Sequence, residues 1–208
     1  MGCGGFPITN EKMKRNKRIG GDDDYKTDIK INDNNPMKIK NLKYDFKPTK
    51  DDLDFLQDFN KRMNERHSEL RKMHDCDSLN INNDLNKMAQ MRAEKLSSST
   101  NEIFSEDIYK EDILGENILI SNKKLEPEEL CDIWYNECDK YNYDLNKFQK
   151  GTGHFTQLVW KGTKDVGFGA IYKDYKDGQL YVVVAYYFPA GNIFNEFKEN
   201  VRKKKVSK

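Results

Sequence analysis

Three side chains stand where a titratable group can do chemistry: Glu116, Glu137 and His154. Glu137 is the most telling on spacing alone. Leu130, Ile133, Trp134 and Tyr141 recur as an apolar helical stripe, and Glu137 falls seven after Leu130 and four before Tyr141, inside it. A carboxylate turned toward a core is costly unless it is hydrogen-bonded, ion-paired or bound to a metal. The competing reading is a residue at the stripe's edge that reaches water. Glu116 sits between Gly115 and Asn117, beside Ile118-Leu119-Ile120, and alone it reads as a turn residue. His154 follows the turn Gly151-Thr152-Gly153 and precedes an apolar stretch, where an isolated histidine is ordinarily structural. No His-Glu-x-x-His motif and no Gly-x-Ser-x-Gly elbow accompanies these residues.

The elements that must position them follow from the hydrophobic pattern. Thr49 and Asp52 form a capping box, and Phe55, Leu56, Phe59, Met63 and Leu70 then recur at helical spacing, predicting a helix to about His74. A second helix is expected over about 84–96, with Leu85, Met88, Ala89 and Leu96 on one face. Pro127 opens a third, at a position where its missing N–H costs nothing. Val166 to Tyr172 and Leu180 to Phe188 read as an antiparallel hairpin with a longer loop around Asp177-Gly178. Helices first and strands last predict an α+β fold, with helices covering the sheet.

The 208 residues allow one domain and a tail. Residues 1–48 hold glycine pairs, an Asp run and Asn-rich stretches with sparse apolar residues, which predicts a disordered tail. The 36 Lys and Arg against 35 Asp and Glu give a net charge of +1, so no global field points to nucleic acid. No apolar run is long enough to span a membrane, and the N-terminus has no apolar signal core ahead of its charges. An intracellular protein is expected, with Cys3, Cys76, Cys131 and Cys138 reduced.

Five motifs carry a family resemblance. Gly153-His154-Phe155-Thr156-Gln157-Leu158-Val159-Trp160, Gly115-Glu116-Asn117-Ile118 and Ile133-Trp134-Tyr135-Asn136-Glu137 resemble signatures of the CAP superfamily of cysteine-rich secretory, antigen 5 and pathogenesis-related proteins. His67-Ser68-Glu69-Leu70-Arg71 resembles its first-helix motif, and Tyr187-Phe188-Pro189-Ala190-Gly191-Asn192 its C-terminal motif, in the form found in the Golgi-associated branch that lacks a signal peptide. The resemblance covers about residues 55–201, within a domain drawn as 49–201, and marks His67, Arg71, Asn117, Trp134, Gln157 and Trp160 as motif residues. It implies an α-β-α sandwich, with helices flanking a mainly antiparallel sheet and a central cleft. In many relatives two His and two Glu line that cleft and can hold a divalent metal. Carried over by position, Glu116, Glu137 and His154 fill three of those places, and Ser105 stands where the fourth has histidine. One histidine and two carboxylates could hold Zn²⁺ only weakly, with water completing the shell. No cofactor and no catalytic residue is therefore assigned.

At the ends of the chain, Cys3 is a candidate for palmitoylation, followed by the basic cluster Lys12, Lys14, Arg15, Lys17 and Arg18. One acyl chain and a polybasic patch suffice for membrane attachment. A solvated tail or a nuclear-localisation-like cluster is the alternative. Residues 202–208 form a second, basic tail. The leading expectation is a non-catalytic module binding acidic phospholipid or sterol at the cytoplasmic face of an intracellular membrane. The alternatives are a scaffolding protein that docks a partner or forms a homodimer, and a metal-dependent hydrolase using Glu116, Glu137 and His154.

Overall fold

Thr49 opens the first helix, α1 (Lys50–Met73), through the expected capping box: Asp52 N–H donates to Thr49 Oγ1 at 3.2 Å, and Thr49 N–H donates to Asp52 Oδ2 at 2.9 Å. The computed structural model describes residues 49–98, 108–110, 112–176 and 178–205. Helix α1 buries Phe59, Met63, His67, Leu70 and Arg71, so its inner stripe carries two motif residues as well as apolar ones. After β1 (Asn80–Ile81), Asn82 Oδ1 accepts the N–H groups of Asp84 and Leu85 and starts α2 (Asn83–Ser98). β2 (Ile108–Tyr109) and β3 (Asp112–Ile113) pair as a small separate ladder, and β4 (Gly115–Ser121) follows.

Helix α3 (Pro127–Tyr135) is shorter than its apolar stripe predicts. A 3₁₀ turn (Asn136–Lys140) takes over and carries Glu137. Ile133, expected on the stripe, is 41% exposed. The buried face is centred on Cys131 and Trp134, and at 100° per residue Ile133 falls on the opposite side. Helix α4 (Gly153–Leu158) is the short apolar stretch beginning at the glycine turn.

β5 (Asp165–Tyr175) and β6 (Gly178–Phe188) form the hairpin at the centre of the main sheet, whose order is β1-β5-β6-β4. The β5–β6 and β6–β4 pairs are antiparallel, and β1–β5 is parallel. The register joins Tyr175 to Gly178, so two residues connect the strands instead of the longer loop expected. The missed ends are polar and exposed; the backbone ladder extends past the point where apolar alternation stops.

Alternation along β6 separates two cores. Tyr181, Val183, Ala185 and Tyr187 face α1, α3 and α4, while Val182, Val184 and Tyr186 face α2. Helices on both faces explain why β6 reads as an unbroken apolar run. The same alternation turns Gly167 and Gly169 toward α2, whose backbone lies so close that a Cβ at either position would overlap it. That approach brings Asn86 Oδ1 and Gln90 Oε1 to the N–H groups of Phe168 and Ala170, at 2.9 and 3.0 Å. Those side chains continue the pairing of β5 beyond the short β1 and cover its edge. Residues 202–205 return to the end of α1, where Lys205 N–H donates to Met73 O at 2.7 Å and His74 Nδ1 donates to Arg202 O at 2.6 Å. Among the described residues, no helix is long and apolar enough to cross a membrane.

Candidate functional site

Glu137 and His154 meet where the 3₁₀ turn abuts the start of α4. Glu137 Oε2 accepts the backbone N–H groups of His154 and Phe155, at 2.8 and 3.0 Å. Its Oε1 lies 2.6 Å from His154 Nδ1. One carboxylate thus caps the open end of a helix, where N–H groups lack partners and negative charge is favoured, and also fixes the imidazole. In a neutral ring, Nδ1–H donating to the carboxylate leaves the lone pair on Nε2. Trp134 lies nearly parallel to the imidazole, with ring centroids 6.2 Å apart.

A buried polar chain runs from this pair to α1. Asn117 Nδ2 donates to His154 O at 3.1 Å and to Tyr187 Oη at 3.2 Å. The Tyr187 hydroxyl donates to His67 Nε2 at 2.8 Å, and His67 Nδ1–H donates to Met63 O at 2.8 Å. Burial pushes the His67 pKa down to about 3, so its ring is neutral, and burial pushes the Tyr187 hydroxyl well above its ordinary range. Arg71 spends its guanidinium on four carbonyls, those of Asp77, Leu158, Trp160 and Thr163, and ties α1 to the loop after α4. Gln157 Oε1 accepts the N–H of Gly191 at 2.8 Å, and Trp160 packs edge-on against Phe197. The motif residues His67, Arg71, Asn117, Gln157 and Trp160 therefore hold loops and helix ends in place.

Glu116 has a different partner. It lies on β4 and not in a turn; its neighbour Asn117 turns toward α4, so Glu116 points to the opposite face, where α2 packs. There Arg92 Nε–H donates to Glu116 Oε1 at 3.1 Å, with both side chains under 5% exposed. The structure joins Glu137 to His154 but does not bring Glu116 into that pair. Among the described residues, no three His, Cys, Asp or Glu side chains gather so as to hold a metal ion. Ser105, Cys3 and the basic cluster Lys12, Lys14, Arg15, Lys17 and Arg18 lie outside the described residues. Among the described residues the donors are poorly suited to a divalent ion: the oxygens of Glu137 accept three hydrogen bonds, and a guanidinium sits on Glu116.

Sequence reasoning missed Arg92, although it falls seven after Leu85 and four before Leu96 in the buried stripe of α2. It also missed a cavity of about 150 Å³ between the N-terminal half of α1 and the segment that leads into α3. Phe55, Phe59, Leu125 and Pro127 give it apolar walls, and the buried Tyr181 lines it as well. The Tyr181 hydroxyl has no hydrogen-bond partner among the described residues. Arg62, Asp58 and Glu126 also line the cavity, and Arg62 pairs with Asp58 at 3.7 Å, Glu126 at 2.8 Å and Glu128 at 2.6 Å. Lys124 makes no ion pair among the described residues, and its ammonium lies over the Phe55 ring, 4.4 Å from the centroid.

The layered fold and the five motifs in place have counterparts among known proteins. The profile of the CAP (cysteine-rich secretory protein) family matches residues 65–187, and the chain belongs to that family. It is 37% identical over 145 residues to the human Golgi-associated plant pathogenesis-related protein 1, covering 69% of this chain and 92% of that protein. It is 35% identical over 145 residues to protein PRY2 of Saccharomyces cerevisiae, of which it spans only 41%. Among solved structures, the venom allergen-like protein 4 of Schistosoma mansoni superposes with a TM-score of 0.54 at 19% identity, over 71% of this chain and 96% of that one, a likeness of fold.

Proposed function

We propose that this protein is a non-catalytic binding module for an anionic, acyl-bearing lipid, working at the cytoplasmic face of an intracellular membrane. The observation that carries the reading is the cavity between α1 and the segment that leads into α3. Its walls combine Phe55, Phe59, Leu125 and Pro127 with the charged Asp58, Arg62 and Glu126, and among the described residues the buried Tyr181 hydroxyl has no hydrogen-bond partner and Lys124 no ion pair. Ligand sites combine apolar walls with a few polar groups in this way. A cavity of about 150 Å³ is benzene-sized, which suits a segment of acyl chain and not the ring system of a sterol. The membrane assignment draws on the basic cluster Lys12–Arg18 in the sequence and on likeness to a human protein named as Golgi-associated. Against a hydrolase stand the commitment of Glu137 to a helix cap and of Glu116 to Arg92.

The test is flotation of the full chain with vesicles of phosphatidylcholine alone or with phosphatidylserine, alongside titration with a fluorescent fatty acid and a fluorescent sterol. Flotation with the acidic vesicles only, together with saturable fatty-acid binding weakened by Lys124→Glu, is the expected result. Sterol binding without fatty-acid binding would move the ligand class. Failure to bind either lipid or either vesicle would sink the reading.

A further inference from the structure

Arg92 occupies the middle of the buried stripe of α2, in line with Leu85, Ala89 and Leu96, where an apolar side chain would be ordinary. A guanidinium there is costly unless its charge is neutralised on the spot. Glu116 does this from β4, at 3.1 Å, and neither side chain reaches solvent. The dependence runs both ways, because Glu116 is a buried carboxylate that also needs a cation. The family resemblance implies a divalent ion near Glu116, yet the cation beside this carboxylate is part of the chain itself. Arginine does not lose its proton in a protein and cannot be chelated away. Ser105 stands where the resemblance implies a histidine ligand, which leaves a metal site one neutral donor short.

We infer that Arg92 is an internal substitute for a bound cation: it neutralises Glu116 from within the fold and makes the architecture of this chain indifferent to divalent metal. Removing the guanidinium alone leaves a buried carboxylate with space beside it, and a small cation from solution can then enter. Removing both charges takes away the carboxylate that such a cation would neutralise.

Thermal unfolding of four full-length proteins tests this: the natural chain, Arg92→Ala, Glu116→Gln and the double variant, each with EDTA, with Zn²⁺ or with millimolar ethylguanidinium. The natural chain should change its Tm by less than about 1 °C in any of these, as expected when no added species binds the native state selectively. Arg92→Ala should unfold well below the natural chain and recover at least about 3 °C with Zn²⁺ or ethylguanidinium. The double variant should lie above Arg92→Ala and show no such recovery. Stabilisation of the natural chain by Zn²⁺ that disappears in Glu116→Gln overturns the inference. So does an Arg92→Ala protein that responds to added cations no more than the natural chain. If Arg92→Ala does not fold, the double variant decides: folding supports a self-neutralising pair, and failure to fold overturns it.

Discussion

Glu137 Oε1 lies 2.6 Å from the Nδ1 of His154, and its second oxygen accepts the backbone N–H of the same histidine at 2.8 Å. A single carboxylate from a 3₁₀ turn therefore sets both the start of α4 and the orientation of the ring that begins it. The chemistry of the pair is that of a cap before it is that of an acid or a base. It holds in register a helix whose far end leads into the carbonyls gripped by Arg71.

Glu137→Ala removes all three hydrogen bonds and leaves two backbone donors at a helix start without partners. The expected loss is about 2–4 kcal/mol, since bonds to a charged acceptor contribute roughly 1.5–3 kcal/mol each and are not additive. Glu137→Gln keeps an acceptor for the backbone groups and should lose about half as much. Urea unfolding midpoints measure both. Equal losses would mean that the charge, and not the cap, is what matters.

His67 makes stability depend on pH with a definite sign. Its folded pKa is depressed by burial to about 3, while an unfolded histidine titrates near 6.5. Below pH 6.5 the unfolded chain takes up a proton that the native state refuses. The contribution is complete above 6.5 and is lost as pH falls toward 3, at about 1.4 kcal/mol per unit. Burial also lowers the pKa of His74, which acts in the same direction. Between pH 7 and pH 5, His67 alone should cost about 2 kcal/mol. His67→Gln, which has no such titration, should flatten the profile by that amount in urea unfolding at the two pH values. An unchanged slope would show that His67 is not held neutral.

Gly169→Ala should be among the most damaging small substitutions in the sheet. The added methyl would meet the backbone of Ala89 and Gln90, which cannot turn aside as a side chain can. Pushing α2 away would also stretch the bond from Ala170 N–H to Gln90 Oε1. A loss of about 3 kcal/mol or more is expected. Gly151→Ala is the contrast: nothing lies near its Cβ position, but its φ of 73° belongs to the left-handed region, so about 1 kcal/mol is expected. Thermal or urea unfolding of the two variants side by side would reveal a reversed order.

How much of this the sequence disclosed depends on how local the signal was. The start of α1 was legible because Thr49 and Asp52 bond to each other within one turn. Glu137 was singled out as a carboxylate in an apolar stripe, with a stripe-edge residue reaching water as the competing reading, and that stripe ran past the true end of α3 and wrongly took in Ile133. Glu116 looked like a turn residue because a glycine precedes it; only the sheet register makes it part of a strand. Arg92 carried the same periodicity signal as Glu137 and went unread, because a long basic side chain in an apolar stripe ordinarily reaches water. The cavity was not legible at all. Phe55, Lys124 and Tyr181 belong to segments far apart in the chain, and their meeting is a product of layer packing.

Tyr181→Phe separates a group serving the fold from one serving a ligand. The hydroxyl is buried and has no partner among the described residues, and burial pushes its pKa upward. An unpartnered buried hydroxyl costs about 1–3 kcal/mol in desolvation, so deleting it should leave the empty protein unchanged or more stable, by up to about 1 kcal/mol. In a ligand complex the same hydroxyl can bond a polar atom of the guest, and its deletion should weaken fatty-acid binding several-fold. Stability and affinity should therefore move in opposite directions, read from Tm without ligand and from Kd by fluorescence titration. A Tyr181→Phe protein that is less stable when empty, with unchanged affinity, would assign the hydroxyl to the fold and take the cavity out of the binding reading.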